Sequence, residues 1–101
     1  MYQMFIDDER FPVDDTMIVV RSFDEATAYV IEHGCPTFIS FDHDLGIGKT
    51  GYDFANWLID RDLDISGFMP ENFHFDVHSQ NPIGARNIRE VLNSYLKFKS
   101  M

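Results

Sequence analysis

Three clusters of chemically capable residues stand out: Asp7-Asp8, Asp42-His43-Asp44 and His78-Ser79. Each directly follows a short apolar run, in FIDDER, FISFDHDLG and FHFDVHS. Asp7, Asp8 and Asp42 offer hard oxygen ligands, which suit Mg²⁺, Mn²⁺ or Ca²⁺ better than zinc. Mg²⁺, the first choice, usually keeps several waters and takes one or two carboxylates plus a substrate phosphate. His43 and His78 are acid/base candidates, since an unperturbed imidazole titrates at about 6.5. Asp42 and Asp44 flank one of them. Ser79 and Asn81 stand at the start of a predicted helix whose free N–H groups favour anions, with Arg86 one turn on. Carboxylates at one pole and a phosphate-friendly helix start at the other read as phosphoryl chemistry.

A plainer account exists for each piece. Asp7-Asp8 alone reads as a solvated turn, and Asp44-Leu45-Gly46 as a turn with the glycine in a left-handed conformation. His74, between Phe73 and Phe75, is expected to be a packing histidine, and Asp76 to face solvent or the opposite side of its strand. Ser79 alone is a polar residue in a strand-to-helix turn. Coincidence favours the functional account, because all these groups fall at three strand ends. The stretch GIGKTG does not match GxxxxGK[ST] and is rejected as a nucleoside triphosphate motif.

These groups need elements to position them. Tyr2–Ile6 and Met17–Val20 read as strands joined by a polar connection too short for a full crossover helix. Ser22-Phe-Asp-Glu25 is a capping box that opens a helix with Phe23, Ala26, Val30 and Ile31 apolar, and Gly34 ends it. Thr37–Phe41 is a third strand, apolar on both faces as a central parallel strand would be. Thr50 and Asp53 cap a helix that carries Phe54, Ala55, Leu58 and Ile59. Phe73–Val77 is a fourth strand. Asn81 and Pro82 begin a last helix with Ile88, Val91, Leu92, Tyr95 and Leu96 on its apolar face, and Lys97 and Lys99 at its end.

Alternating strands and helices predict an α/β fold around a parallel sheet. Ligands of such sheets bind outside the carboxyl ends of the strands, where all three clusters fall. The order 2-1-3-4 brings Asp7-Asp8 beside Asp42.

Composition narrows the function classes. A chain of 101 residues with 45% hydrophobic residues and ten Phe is expected to be one globular domain, 1–101. A net charge of −9 argues against broad DNA binding or adsorption to anionic membranes, while leaving room for a small phosphate-containing ligand. No apolar run approaches membrane-spanning length, and the sequence MYQMFIDDER turns acidic too early for a secretory signal. With a single cysteine, Cys35, a cytoplasmic location is the expectation. The oligomeric state stays open, although a four-stranded sheet has two edges to protect.

Taken together, DDER-x-P, FDHDLG, TGYD and HSQNPIGARNI resemble the cyclic-phosphate-processing receiver family of bacteria and phages. The resemblance runs from Phe5 to about Leu92. It implies a receiver-like, flavodoxin-like three-layer sandwich whose four-stranded sheet lacks the fifth strand and helix of ordinary receivers. It also implies an acidic, metal-capable pocket and the processing of cyclic phosphates from RNA repair or nucleotide metabolism. The matching positions are Asp7, Asp8, Asp42, His43, Asp44, His78, Ser79 and Asn81. Ordinary receivers carry a lysine at the end of their fifth strand, so its absence disfavours a phosphorylation switch.

Two functions follow as expectations. The first is a metal-assisted phosphoesterase: Asp7, Asp8 and Asp42 hold the ion, His78 is the acid, and His43 orients a ligand or acts as base. Ser79, Asn81 and Arg86 bind the phosphate. The second is a non-catalytic receiver-like module that docks a protein or sequesters a nucleotide. Two histidines beside three carboxylates favour the enzyme.

Overall fold

The computed structural model describes residues 1–101. Its elements are β1 (Gln3–Ile6), β2 (Ile18–Val20), α1 (Phe23–His33), β3 (Phe38–Phe41), α2 (Gly51–Asp64), β4 (His74–Val77) and α3 (Pro82–Lys99). Each strand begins one residue later than its apolar run, an ordinary disagreement at element ends. All strand pairs are parallel and the order is β2-β1-β3-β4, the expected receiver-like arrangement.

The helix starts follow from local chemistry. The Ser22 side chain accepts the Glu25 N–H, and Thr50 and Asp53 form a reciprocal capping box. The Asn81 side chain accepts the Gly84 N–H at 2.9 Å, with Pro82 opening the helix. At the end of α1, Gly34 takes φ 87°, and its N–H reaches the Val30 carbonyl. Ile31, read as part of the apolar face of α1, is 60% exposed; Ala26, Thr27 and Val30 make the buried stripe.

The layering differs from the expectation. The hydrophobic core draws on all three helices, through Ala26 and Val30, Phe54 and Leu58, and Ile88 and Leu92. From the strands it takes Met4, Ile6, Val20, Ile39, Phe41 and Val77, which alternation places on one face of the sheet. Phe5, Val19 and Phe38, on the other face, lie outside that core. The domain is therefore two layers deep instead of three. The reason is topological. The crossovers from β2 to β3 and from β3 to β4 run the same way across the sheet, so right-handedness puts their helices on one side. The connection from β1 to β2 contains no helix to cover the other.

Candidate functional site

Parallel register carries the clusters to one rim. Ile6 pairs with Phe41, and Phe41 with Val77. The next residue of each strand continues the ladder: Asp42 donates its N–H to the Ile6 carbonyl at 2.9 Å, and His78 donates to that of Phe41 at 2.9 Å. Asp7, Asp42 and His78 thus stand side by side, with potential ligand atoms within 4.8 Å of one another. Alternation sends their side chains to the helix-free side. There the His78 ring stacks on Phe5, with centroids 4.4 Å apart and planes within 5°.

Asp7 is fully buried and its carboxylate is saturated. Oδ1 accepts the backbone N–H groups of Glu9 at 2.9 Å and Arg10 at 2.8 Å. Oδ2 accepts Arg10 Nε at 2.8 Å and meets His78 Nε2 at 2.9 Å. Burial pushes the Asp7 pKa up, but those backbone bonds, the His78 contact and the charge of Arg10 outweigh it and hold the carboxyl below its usual range. An ionised carboxylate can only accept, so His78 carries its proton on Nε2 toward Asp7. In the neutral ring, Nδ1 then accepts the Ser40 hydroxyl, 2.7 Å away. Asp7 thus fixes the tautomer, and Ser40, whose hydroxyl can donate or accept, holds the tilt of the ring as an outer partner.

Arg10 bridges the two buried carboxylates, with Nη2 3.5 Å from Asp42 Oδ2. Burial alone would lower its pKa; the charges of Asp7 and Asp42 reverse that and keep the guanidinium firmly protonated. A cavity of about 220 Å³ opens beside it, lined by Asp8, Glu9, Arg10, Asp42, Asp44 and Gln80, with no hydrophobic residue. By volume alone, that space has room for a group the size of a phosphate with several waters.

The other expected residues divide into two groups. Asp8 is exposed and Asp44 is exposed, and both line the cavity with Asp42. Asn81 reaches Asp44 Oδ2 at a long 3.5 Å, and Ser79 Oγ accepts the Asn81 N–H at 3.1 Å. His43, one residue out of phase with Asp42, turns toward the helices. Its Nδ1 meets Asp44 Oδ1 at 3.0 Å, and its ring lies so close to Gly84 that a Cβ there would overlap it. Arg86 is exposed on α3 and is not a lining residue. Gly51, first residue of α2, donates to the His43 carbonyl at 2.8 Å, and a Cβ on it would overlap the Asp42 carbonyl oxygen. That close approach sets where β3 delivers Asp42.

Reasoning from sequence missed Arg10 and Ser40. Arg10 lies three residues beyond Asp7, in reach of a carboxylate at a turn. Ser40 is the one polar residue of FISF and, two before Asp42, faces the same way. Asp76 behaves as expected, exposed and accepting the Val77 N–H. His74 is not the enclosed packing residue expected: it is exposed, with its ring centroid 4.8 Å from that of Phe38 and Nδ1 on the Asn72 carbonyl.

The family model described as cyclic-phosphate processing receiver domain matches residues 2–94. The chain belongs to that family. No curated protein and no solved structure matches it significantly. In this receiver domain, the buried Asp-Asp-His group is one that a metal ion could occupy. No helix is long and apolar enough to cross a membrane.

Proposed function

We propose that this receiver domain hydrolyses a cyclic phosphate of nucleotide or RNA origin with the help of a divalent ion. The observation that carries this is the convergence of Asp7, Asp42 and His78 within 4.8 Å, beside an all-polar cavity, in a chain of this family. The donor set fits a hard ion: Asp42 lines the cavity, and Asp7 joins once Arg10 releases it. Asp8 lines the cavity but stands outside the close Asp7–Asp42–His78 group, and would have to move in to ligate. Mg²⁺ and Mn²⁺ match these carboxylates. When bound, such an ion supplies charge opposite the phosphate and a water of lowered pKa.

The protein's own groups do the rest. His78 is assigned as the proton carrier for the leaving alkoxide. In that role it starts as the imidazolium and keeps Nε2–H on Asp7. It passes the Nδ1 proton to the alkoxide once the ring turns from Ser40 toward the cavity, which it does not line, and ends as the neutral ring. Arg10 is the one cation lining the cavity and faces a phosphate placed there. Ser79 keeps its hydroxyl hydrogen free for a non-bridging oxygen, and Asn81 shapes the start of α3. Arg86 contributes from the rim. His43 steadies Asp44, which is the role its orientation supports.

The test is a screen of 2′,3′-cyclic, 3′,5′-cyclic and ADP-ribose cyclic phosphates with Mg²⁺ and Mn²⁺, followed by product analysis. Release of a phosphomonoester, abolished by a chelator, is the expected result. Tight binding with no product would replace the enzyme by a module that sequesters its ligand.

A further inference from the structure

Arg10 presents a conflict of occupancy. Its Nε is 2.8 Å from Asp7 Oδ2 and its Nη2 is 3.5 Å from Asp42 Oδ2, so one guanidinium spans both buried carboxylates. With two backbone N–H groups and His78 also on Asp7, that carboxylate has no acceptor site left for an ion. Buried carboxylates demand a compensating charge, and here the protein supplies its own. The backbone N–H of Arg10 also holds Asp7 Oδ1 at 2.8 Å, so the side chain can leave while the turn stays pinned. At 40% exposure, the side chain has solvent to move into.

We propose that Arg10 is a resident counter-cation, seated between Asp7 and Asp42, that a divalent ion must displace in order to bind. The inference rests on the reading of Asp7, Asp42 and His78 as an ion site and adds what guards it. In the ion-free protein the guanidinium offsets one of the pair's two negative charges and stabilises the turn. On loading, the ion takes over Asp7 and Asp42, and the guanidinium swings free. The balance between the two cations sets the ion concentration at which the site switches on.

The test follows Arg10 directly. In chelator, the Arg10 Nε–H should give an NMR signal typical of a hydrogen-bonded guanidinium. Titration with diamagnetic Mg²⁺ should move that signal to the position of a solvated arginine as the site saturates. Arg10→Met keeps the stem and removes the charge; Arg10→Gln serves as a second variant should the first fold poorly. Each should bind Mn²⁺ about ten-fold or more tightly than wild type, measured from the free-ion electron paramagnetic resonance signal, because charge-assisted contacts no longer have to break. An Nε–H signal that stays bonded at saturating Mg²⁺ overturns the inference. Equal Mn²⁺ affinity in wild type and both variants overturns it too, and in either case the ion site itself stands. If wild type and both variants bind no ion, the metal reading fails and takes the inference with it. Asp42→Asn, expected to lose Mn²⁺ binding, identifies the site that is being read.

Discussion

Asp7 and Asp62 are both buried aspartates held ionised, and they sit at opposite ends of the domain. Asp62 lies near the end of α2, where it accepts the Met69 N–H at 2.8 Å, the Tyr95 hydroxyl at 2.6 Å and Lys99 Nζ at 2.9 Å. Burial raises its pKa, and those partners more than reverse the effect; in return, burial and the Asp62 contact push Tyr95 up to about 12. One carboxylate meets one cation, and the set is closed. At Asp7 the hydrogen bonding is just as complete, yet Arg10 is the one cation on the carboxylates, with Arg21 held on the backbone carbonyls of Asp7 and Arg10. Against it stand Asp7, Asp42 and three further acidic residues around an open cavity. A buried aspartate with a depressed pKa therefore does not mark function. What distinguishes the proposed site is negative charge in excess of the cations supplied, next to space for a ligand.

The strongest way to break this comparison is to exchange its consequences. His78→Gln should lower turnover about 10²–10⁴-fold, the usual worth of a positioned acid/base group, with only a small change in melting temperature. Asp62→Ala should leave turnover per folded molecule intact. If His78→Gln instead unfolds the protein and keeps its specific activity, His78 is a packing residue and the two ends do not differ in kind.

Stability should show the reverse pattern. Asp62→Ala strands the Tyr95 hydroxyl, the Met69 N–H and Lys99 without their acceptor, for a loss of about 3 kcal/mol. For a domain this size, that lowers the melting temperature by roughly 12–24 °C. A calorimetric shift under about 4 °C would mean that the closed cluster is not structural.

Gly51→Ala probes the join between core and site. The new Cβ meets the Asp42 carbonyl oxygen, and relieving the overlap pushes α2 off the end of β3. A cost of about 1–3 kcal/mol is expected, together with weaker Mn²⁺ binding, because Asp42 moves with its backbone. Loss of stability with unchanged ion affinity would show that α2 yields alone and that the Gly51 contact does not position Asp42.

The contrast also has a pH signature. Asp62 and Asp7 have folded-state pKa values below the unfolded value of about 3.9. Their contributions are fully present above that value and fade as pH falls through the folded values. The melting-temperature gap between wild type and Asp62→Asn should therefore stay constant between about pH 5 and pH 9 and narrow below about pH 4. A gap that widens on acidification contradicts the assignment.

These particulars show what the sequence made legible. The capping residues Ser22, Thr50 and Asn81 name their helices because capping is local chemistry. The strand order could be argued because parallel register carries Asp7, Asp42 and His78 to one rim together. The layering is within reach of the same argument, since the order 2-1-3-4 with right-handed crossovers already puts the helices on one face; the three-layer expectation rests instead on the resemblance to ordinary receivers. His43 illustrates a limit at one residue: adjacent to Asp42, it points the other way, toward Gly84. Arg10 was hidden because long side chains choose partners in three dimensions, and only the folded turn lays it across two carboxylates.

The smallest expected effect separates the two arginines nearest the phosphate question. Arg10 is wedged between buried carboxylates and lines the cavity, whereas Arg86 is exposed on α3. An exposed charge acts on a ligand through water and salt, so its worth is at most about 1 kcal/mol. Arg86→Ala should therefore weaken cyclic-phosphate binding no more than about five-fold in dilute buffer, with the difference disappearing by about 0.5 M salt as screening shortens its reach. Melting temperature should stay put, since surface substitutions away from special features usually fall within about 0.5 kcal/mol. A loss of affinity beyond about ten-fold that survives high salt would mean that Arg86 folds down onto the phosphate when the ligand binds. The rim around α3 would then belong to the site, and the excess of negative charge at this end would be met by two arginines in the bound state.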